Sequence, residues 1–302
     1  MTLLALALLP LLLLATSTCR AAAPRVLVDD VHFAEGPVWH GDRLYFVEYD
    51  RNTVTTWNTG GSAIFATLPG CGPSAVLAMA DGSFLVTCYD SGSIGRLAAD
   101  GSALPAWDHD REGQGFVGPN DFAPDGHGGV YFTASGHPGQ AADGAAYYIA
   151  ADGTISRVAG ELNAANGIAV SPDGHTLYVI ETEANHLLAF TIDAPGQLSN
   201  RHTFVDVDAL AGHVGHIWPD GVKIDGHGRL YIGQNPRDPH APQAGTIFVV
   251  DARGMLLRRL ALPSPGVPNF TFSPDGRTLY VTALDQIDKS PYRGKLYSLS
   301  LR

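Results

Sequence analysis

The stretch Asn166-Gly167-Ile168-Ala169-Val170-Ser171-Pro172-Asp173-Gly174-His175-Thr176-Leu177-Tyr178-Val179 decides the fold. Two β-rich runs joined by a Pro-Asp-Gly turn read as a hairpin, because Asp and Gly accept the backbone angles that a tight turn demands. The same wording returns at Asn269-Phe-Thr-Phe-Ser-Pro-Asp-Gly-Arg-Thr-Leu-Tyr-Val281, and in looser form from Gly36, Leu77, Asn120 and Asp220. With Asp42, Asp81, Asp125, Asp173, Asp225 and Asp275 as turn markers, the intervals are 39, 44, 48, 52 and 50 residues. A period of about 40–50 residues is the signature of a propeller or solenoid.

A second hairpin follows the first in most units: Thr53–Trp57 with Ser62–Thr67, Ile94–Ala98 with Ala103–Trp107, Ala145–Ala150 with Thr154–Val158, and Thr246–Val250 with Leu256–Leu260. Two hairpins make a four-stranded blade, so the chain reads as an all-β, six-bladed β-propeller. The last unit stops after Lys295–Leu301 with no fourth strand, whereas Arg25–Asp30 is a strand left over at the other end. The N-terminal strand is therefore expected to join the C-terminal blade and close the ring, which removes open sheet edges. An open solenoid would need capping repeats, and none is visible.

Composition narrows the partners. Among 302 residues, 19 Lys and Arg face 30 Asp and Glu, a formal net charge of −11, which argues against a nucleic-acid grip built on phosphate neutralisation. Only 16% of residues are charged and 45% are apolar, with 35 Gly and 20 Pro spread along the chain, so neither a coiled coil nor a disordered acidic tail fits. Leu3–Ala15 is an unbroken apolar run of 13, too short for stable membrane insertion but the right length for a signal-peptide core. Residues 1–23 are read as a leader cut between Ser17 and Ala23, and 24–302 as an exported propeller, periplasmic or secreted. A lipoprotein reading through Cys19 meets Ser17-Thr18, which are not the small apolar pair such a site needs. Cys71 and Cys88 flank the hairpin that turns at Asp81-Gly82 and fall near opposite positions, where a disulfide is conceivable; two small buried thiols are the alternative. Nothing in the sequence speaks to oligomeric state.

Innermost strands of a propeller crowd the central axis, and five to seven residues before each turn marker the units carry Glu35, Ser74, Asn120, Asn166, Asp220 and Asn269. Oxygen-bearing side chains converging from several blades, two of them carboxylates, suit a hard divalent cation, Ca²⁺ above all, with Zn²⁺, Mn²⁺ and Mg²⁺ as alternatives. Taken singly, Asn or Asp before Gly also serves as a turn former or strand cap. Around the same mouth, His137 follows the second strand of the third unit, and His213 and His216 precede Trp218, whose ring could wall a small-molecule site. Each of these His residues also fits an ordinary loop hydrogen bond. His127, His175 and His227 sit in turns and are expected to face solvent, while Trp39 and the recurring Tyr45, Tyr131, Tyr178, Tyr231 and Tyr280 read as packing between sheets. No Gly-x-Ser-x-Gly elbow or phosphate-binding Gly loop is present, so nucleotide cofactors are not implied.

Glu35-Gly-Pro-Val-Trp39, Pro119-Asn120-Asp121, Asn166-Gly167-Ile168 and Pro219-Asp220-Gly221, in this order and spacing, resemble the family of senescence marker protein (regucalcin), gluconolactonase and related lactonases. The resemblance covers nearly all of the chain after the leader. It implies a metal-dependent hydrolase of lactones or similar cyclic esters, with Glu35, Asn166 and Asp220 on one divalent ion and Asn120 near metal or substrate. Asp220 is then the general base, and Ser74 and Asn269 are structural. Sugar-lactonase members carry Arg two residues before the third-blade Asn; Gly118 stands there, which places gluconolactone itself in doubt. An organophosphate hydrolase on the same scaffold and a non-catalytic calcium- or ligand-binding propeller are the rival readings.

Overall fold

Six four-stranded antiparallel sheets follow one another along the chain in a computed structural model that describes residues 23–212, 217–238 and 244–301. The leader expected over residues 1–23 lies outside the described residues apart from Ala23. Blades 1 to 5 each run in chain order from an innermost strand, respectively Ala34–His40, Pro73–Ala78, Pro119–Pro124, Ala165–Val170 and Ile217–Ile224. Blade 6 combines Gly266–Phe272, Thr278–Leu284 and Arg293–Ser300 with the N-terminal strand Arg25–His32, which pairs antiparallel with Arg293–Ser300 and closes the ring as expected. The four second hairpins read from the sequence are present. A fifth, His186–Ala194 with Gln197–Asp206, completes blade 4 and carries no Asp-Gly turn; a short helix, Val207–Ala211, follows it.

The recurring Asp explains the repeat. In five of the six turns the marker's Oδ1 accepts the backbone N–H two residues on: Ser83 from Asp81 (2.9 Å), His127 from Asp125 (2.7 Å), His175 from Asp173 (3.1 Å), His227 from Asp225 (2.9 Å) and Arg277 from Asp275 (3.1 Å). Each carboxylate thereby imitates a backbone turn, and the three His residues beside them are exposed.

The core is divided among six apolar clusters, one between each pair of neighbouring blades. Each sheet is covered on both faces, so middle strands such as Val130–Ala134 and Phe84–Cys88 are buried throughout. Tyr131 and Tyr231 are fully buried between blades, Tyr45 and Tyr178 nearly so, and Trp39 stacks on Tyr280 at 5.1 Å. Burying a residue such as Phe46, Phe132 or Leu177 contributes about 1.5–3 kcal/mol. Cys71 and Cys88 form a disulfide with their Cα atoms 4.5 Å apart. No helix among the described residues is long and apolar enough to cross a membrane.

Candidate active site

Each innermost strand breaks register near its start: between Glu35 and Val38, Pro73 and Ala75, Pro119 and Phe122, Ala165 and Ile168, Pro219 and Val222, and Gly266 and Asn269. A bulge of this kind re-aims a side chain that regular pairing would point into the sheet stack. The residue paired with the blade's Tyr (Leu85 in blade 2) gives a common origin: Val38, Leu77, Ala123, Ala169, Lys223 and Thr271. Three positions earlier stand Glu35, Ser74, Asn120, Asn166, Asp220 and Pro268. Asn269 is therefore one step out of the ring that the sequence suggested. Blade 6 shares the longer Ser-Pro-Asp-Gly turn of blade 4, so the counterpart of Asn166 lies seven residues before Asp275, at Pro268.

Glu35, Ser74, Asn120, Asn166 and Asp220 line one cavity of about 240 Å³, together with Pro73 and the rings of Phe33, Tyr49, Tyr89 and Tyr292. Threonines on or just after the second strands hold the ring by its backbone. Thr87 Oγ1 donates to the Asn120 carbonyl (2.7 Å), Thr133 Oγ1 to that of Asn166 (2.6 Å), and Thr182 Oγ1 to that of Pro219 (2.7 Å), each reaching into the next blade. Ser74 serves the same end, its hydroxyl lying 2.9 Å from the Pro119 carbonyl and 3.0 Å from that of Asn120.

The two carboxylates are buried, each 8% exposed. Glu35 Oε2 accepts the Gly36 N–H at 2.8 Å. Gly36 has φ +45°, and a Cβ there would lie 2.2 Å from Ala75 Cα of the next blade, so only glycine admits this approach. Asp220 Oδ2 accepts from Asn235 Nδ2 at 2.6 Å. Burial, followed by the Asp220 charge, holds the Glu35 carboxyl well above the usual carboxylate range. Burial and then the Asp121 charge push Asp220 up to about 7, against the opposing pull of the Asn235 and Asn166 amides and of Lys223. Asn166 Nδ2 donates to Thr182 Oγ1 at 3.1 Å, which leaves its Oδ1 as the free acceptor.

A further layer contains Asn269, expected to be structural, and an Asp121–Lys223 pair that the sequence did not suggest. Asp121 and Asn269 occupy the next position along their strands and are 3% and 2% exposed. Lys223 Nζ pairs with Asp121 Oδ2 at 2.8 Å, and Asn269 Nδ2 donates to the same oxygen at 3.3 Å. Asp121 Oδ1 accepts the Phe122 N–H at 2.8 Å. The available signal was a single Lys inside the apolar strand Gly221-Val222-Lys223-Ile224, which needed a buried partner.

Two other residues expected at the mouth, His137 and Trp218, do not line this cavity. His137 lies outside the cavity, its ring more than half exposed and its Nδ1 2.6 Å from Asp143 Oδ2. Trp218 faces an adjoining cavity with Asn235 and Pro236, which shares Phe33 and Tyr292 with the first. The Arg237 guanidinium lies 5.5 Å from the Trp218 ring. His213 and His216 fall outside the described residues. Phe33, Tyr49, Tyr89 and Tyr292 escaped the sequence reading because they stand in connecting segments, where no periodicity marks them. Among the described residues, no three His, Cys, Asp or Glu side chains form a metal-ligating cluster; two carboxylates and two Asn amides are what the cavity offers.

Comparison with known proteins places these residues in a family frame. The family model described as SMP-30/Gluconolactonase/LRE-like region matches residues 33–285. The pentonolactonase XacC of Haloferax volcanii is 28% identical over 266 residues, covering 85% of this chain and 84% of its own. A gluconolactonase of Zymomonas mobilis is 25% identical over 292 residues, covering 85% and 78%. Among solved structures, the calcium-binding protein regucalcin from Agrobacterium tumefaciens superposes with a TM-score of 0.75 at 20% identity, covering 92% of this chain and 93% of its own.

Proposed function

Because the chain belongs to the SMP-30/gluconolactonase/LRE-like family, whose model runs from the start of blade 1 into blade 6, we propose that it hydrolyses a lactone or similar cyclic ester in the cavity of Glu35 and Asp220. The relatives named as lactonases support the reaction class. The observation that carries the reading is the meeting of two buried, mutually repelling carboxylates with Asn120 and Asn166 in one cavity. Such a set is unfavourable without a compensating cation, and oxygen donors without imidazole or thiolate fit a hard divalent ion. Glu35, Asn120, Asn166 and Asp220 would hold it, Ca²⁺ being the ion we favour. When bound, the ion supplies positive charge that polarises an ester carbonyl and eases loss of a proton from water.

The chain's own groups divide the remaining work. Asn235 occupies Asp220 Oδ2, leaving Oδ1 as the oxygen that takes the proton from the attacking water. As water adds to the carbonyl carbon, the ring C–O bond breaks, and the proton held at Asp220 passes to the departing ring oxygen, giving a hydroxy acid. The interblade threonines fix the strands that carry Asn120, Asn166 and Asp220, so the donors need little reorganisation. Asp220→Asn tests the assignment: folding is retained, while lactone hydrolysis followed by pH-stat falls by at least about 10²-fold, the size of a general-base contribution. Chelation followed by restoration of each divalent ion in turn should abolish and then recover turnover. Near-normal rates in Asp220→Asn remove it from the mechanism, and turnover indifferent to chelation removes the ion.

A further inference from the structure

Resting on the lactonase reading, we infer that the substrate is a lactone bearing a flat apolar substituent, aryl or of comparable shape, laid against the aromatic wall of Phe33, Tyr49, Tyr89 and Tyr292, in preference to a polyhydroxylated lactone. The carboxylates Glu35 and Asp220 are buried in the cavity, and four of its other lining residues are aromatic. Phe33, Tyr49, Tyr89 and Tyr292 are all half-buried and line the cavity. No Lys, Arg or His is among the described residues that line it.

The wall is built at a cost in backbone strain. Phe33 has φ +49°, a left-handed conformation that a bulky side chain seldom adopts. Two backbone hydrogen bonds keep it there, Phe33 N–H to the Tyr292 carbonyl at 2.7 Å and Tyr49 N–H to the Phe33 carbonyl at 3.1 Å. The Phe33 ring is thereby set between Tyr49 at 5.4 Å and Tyr292 at 5.5 Å. The Tyr49 hydroxyl is turned away, donating to Asp90 Oδ1 at 2.7 Å. The Tyr89 ring lies beside Gly118, which has φ +63°. A Cβ at Gly118 would lie 3.0 Å from Tyr89 Cε2 and 3.2 Å from its Cζ, so Tyr89 occupies the space through which any side chain at 118 would enter the cavity. A flat apolar group gains by burial against the faces of these rings, which offer the hydroxyl groups of a sugar lactone no hydrogen-bond partner in place of the water they lose.

Two butyrolactones that differ only at C5, one bearing phenyl and one hydroxymethyl, separate the alternatives under identical pH-stat conditions. The phenyl compound should be preferred in kcat/KM by at least about tenfold, the scale on which an apolar pocket discriminates. Tyr89→Ala should bring that ratio close to one, chiefly by raising KM for the phenyl compound, and Tyr89→Phe should restore it. Phe33→Ala, in the same wall, should lower the same ratio and stands in if Tyr89→Ala does not fold. Equal or reversed preference in the wild-type protein, or a ratio unmoved by both Ala variants, overturns the aromatic-wall inference while leaving lactone hydrolysis intact. Hydrolysis of neither compound, with the restored divalent ion present, overturns the lactonase reading and this inference with it.

Discussion

Replacing Lys223 by Met isolates what the layer of Asp121 and Lys223 does. The substitution keeps most of the side-chain volume and removes the charge, leaving Asp121, whose side chain is 4% exposed, without its cation. Breaking a buried ion pair from one side costs about 3–5 kcal/mol. Here the Lys side chain retains 20% exposure, and Asp121 keeps the Phe122 N–H and the Asn269 amide, so the expected loss lies at the lower end, about 3 kcal/mol. For a domain of this size that corresponds to a fall in Tm of about 6–12 °C. Equilibrium urea unfolding of wild type, Lys223→Met, Asp121→Asn and the double variant is the measurement. The double variant should recover to within about 1 kcal/mol of wild type, because neither position of the pair is then left with a buried charge lacking its partner. A Lys223→Met loss below about 1 kcal/mol, or double-variant losses that simply add, would refute the idea that the pair acts as a buried unit.

In the metal-free protein, Glu35 and Asp220 both have folded pKa values above their unfolded ones, so between about pH 4 and about pH 7 the folded state holds more protons than the unfolded state. Stability should therefore fall as pH rises through that window, and saturating divalent ion should flatten the slope; a metal-free stability that rises over the same window in urea unfolding would contradict the arrangement. The Cys71–Cys88 bridge spans 17 positions, for which chain entropy gives about 3 kcal/mol, so the Cys71→Ser/Cys88→Ser variant should unfold at correspondingly lower denaturant, whereas an unchanged midpoint would show that the bridge contributes nothing.

The blades are legible because their periodic element is chemical. An Asp that closes its own turn must recur wherever the hairpin recurs, and Asp81, Asp125, Asp173, Asp225 and Asp275 do so. Where the turn uses other residues, as between Ala194 and Gln197, the strands gave no comparable signal. The positions of Glu35, Asn120, Asn166 and Asp220 could be read because each precedes its turn by a countable distance. The same count misplaced Asn269 by one residue, since turn lengths differ among blades and a single-residue slip moves a side chain to another layer. His137 and Trp218 were chosen for chemistry and closeness in sequence, and neither criterion says which way a loop carries a ring. The Lys223–Asp121 contact joins blades 102 residues apart, and the aromatic wall draws on segments from both ends of the chain, so neither leaves a local pattern.

The pairing of the first strand with the last has a temporal corollary. Phe33 follows directly on the closing strand and is held by Tyr292, itself just ahead of the final strand, so the mouth of the cavity is assembled from opposite termini. During synthesis the nascent propeller stays unsealed until the strand Arg293–Ser300 has left the ribosome. Competence for ligand and completion of the ring thus arrive together, and a circular permutant whose new ends fall in an Asp-Gly turn would move that moment without altering the finished cavity.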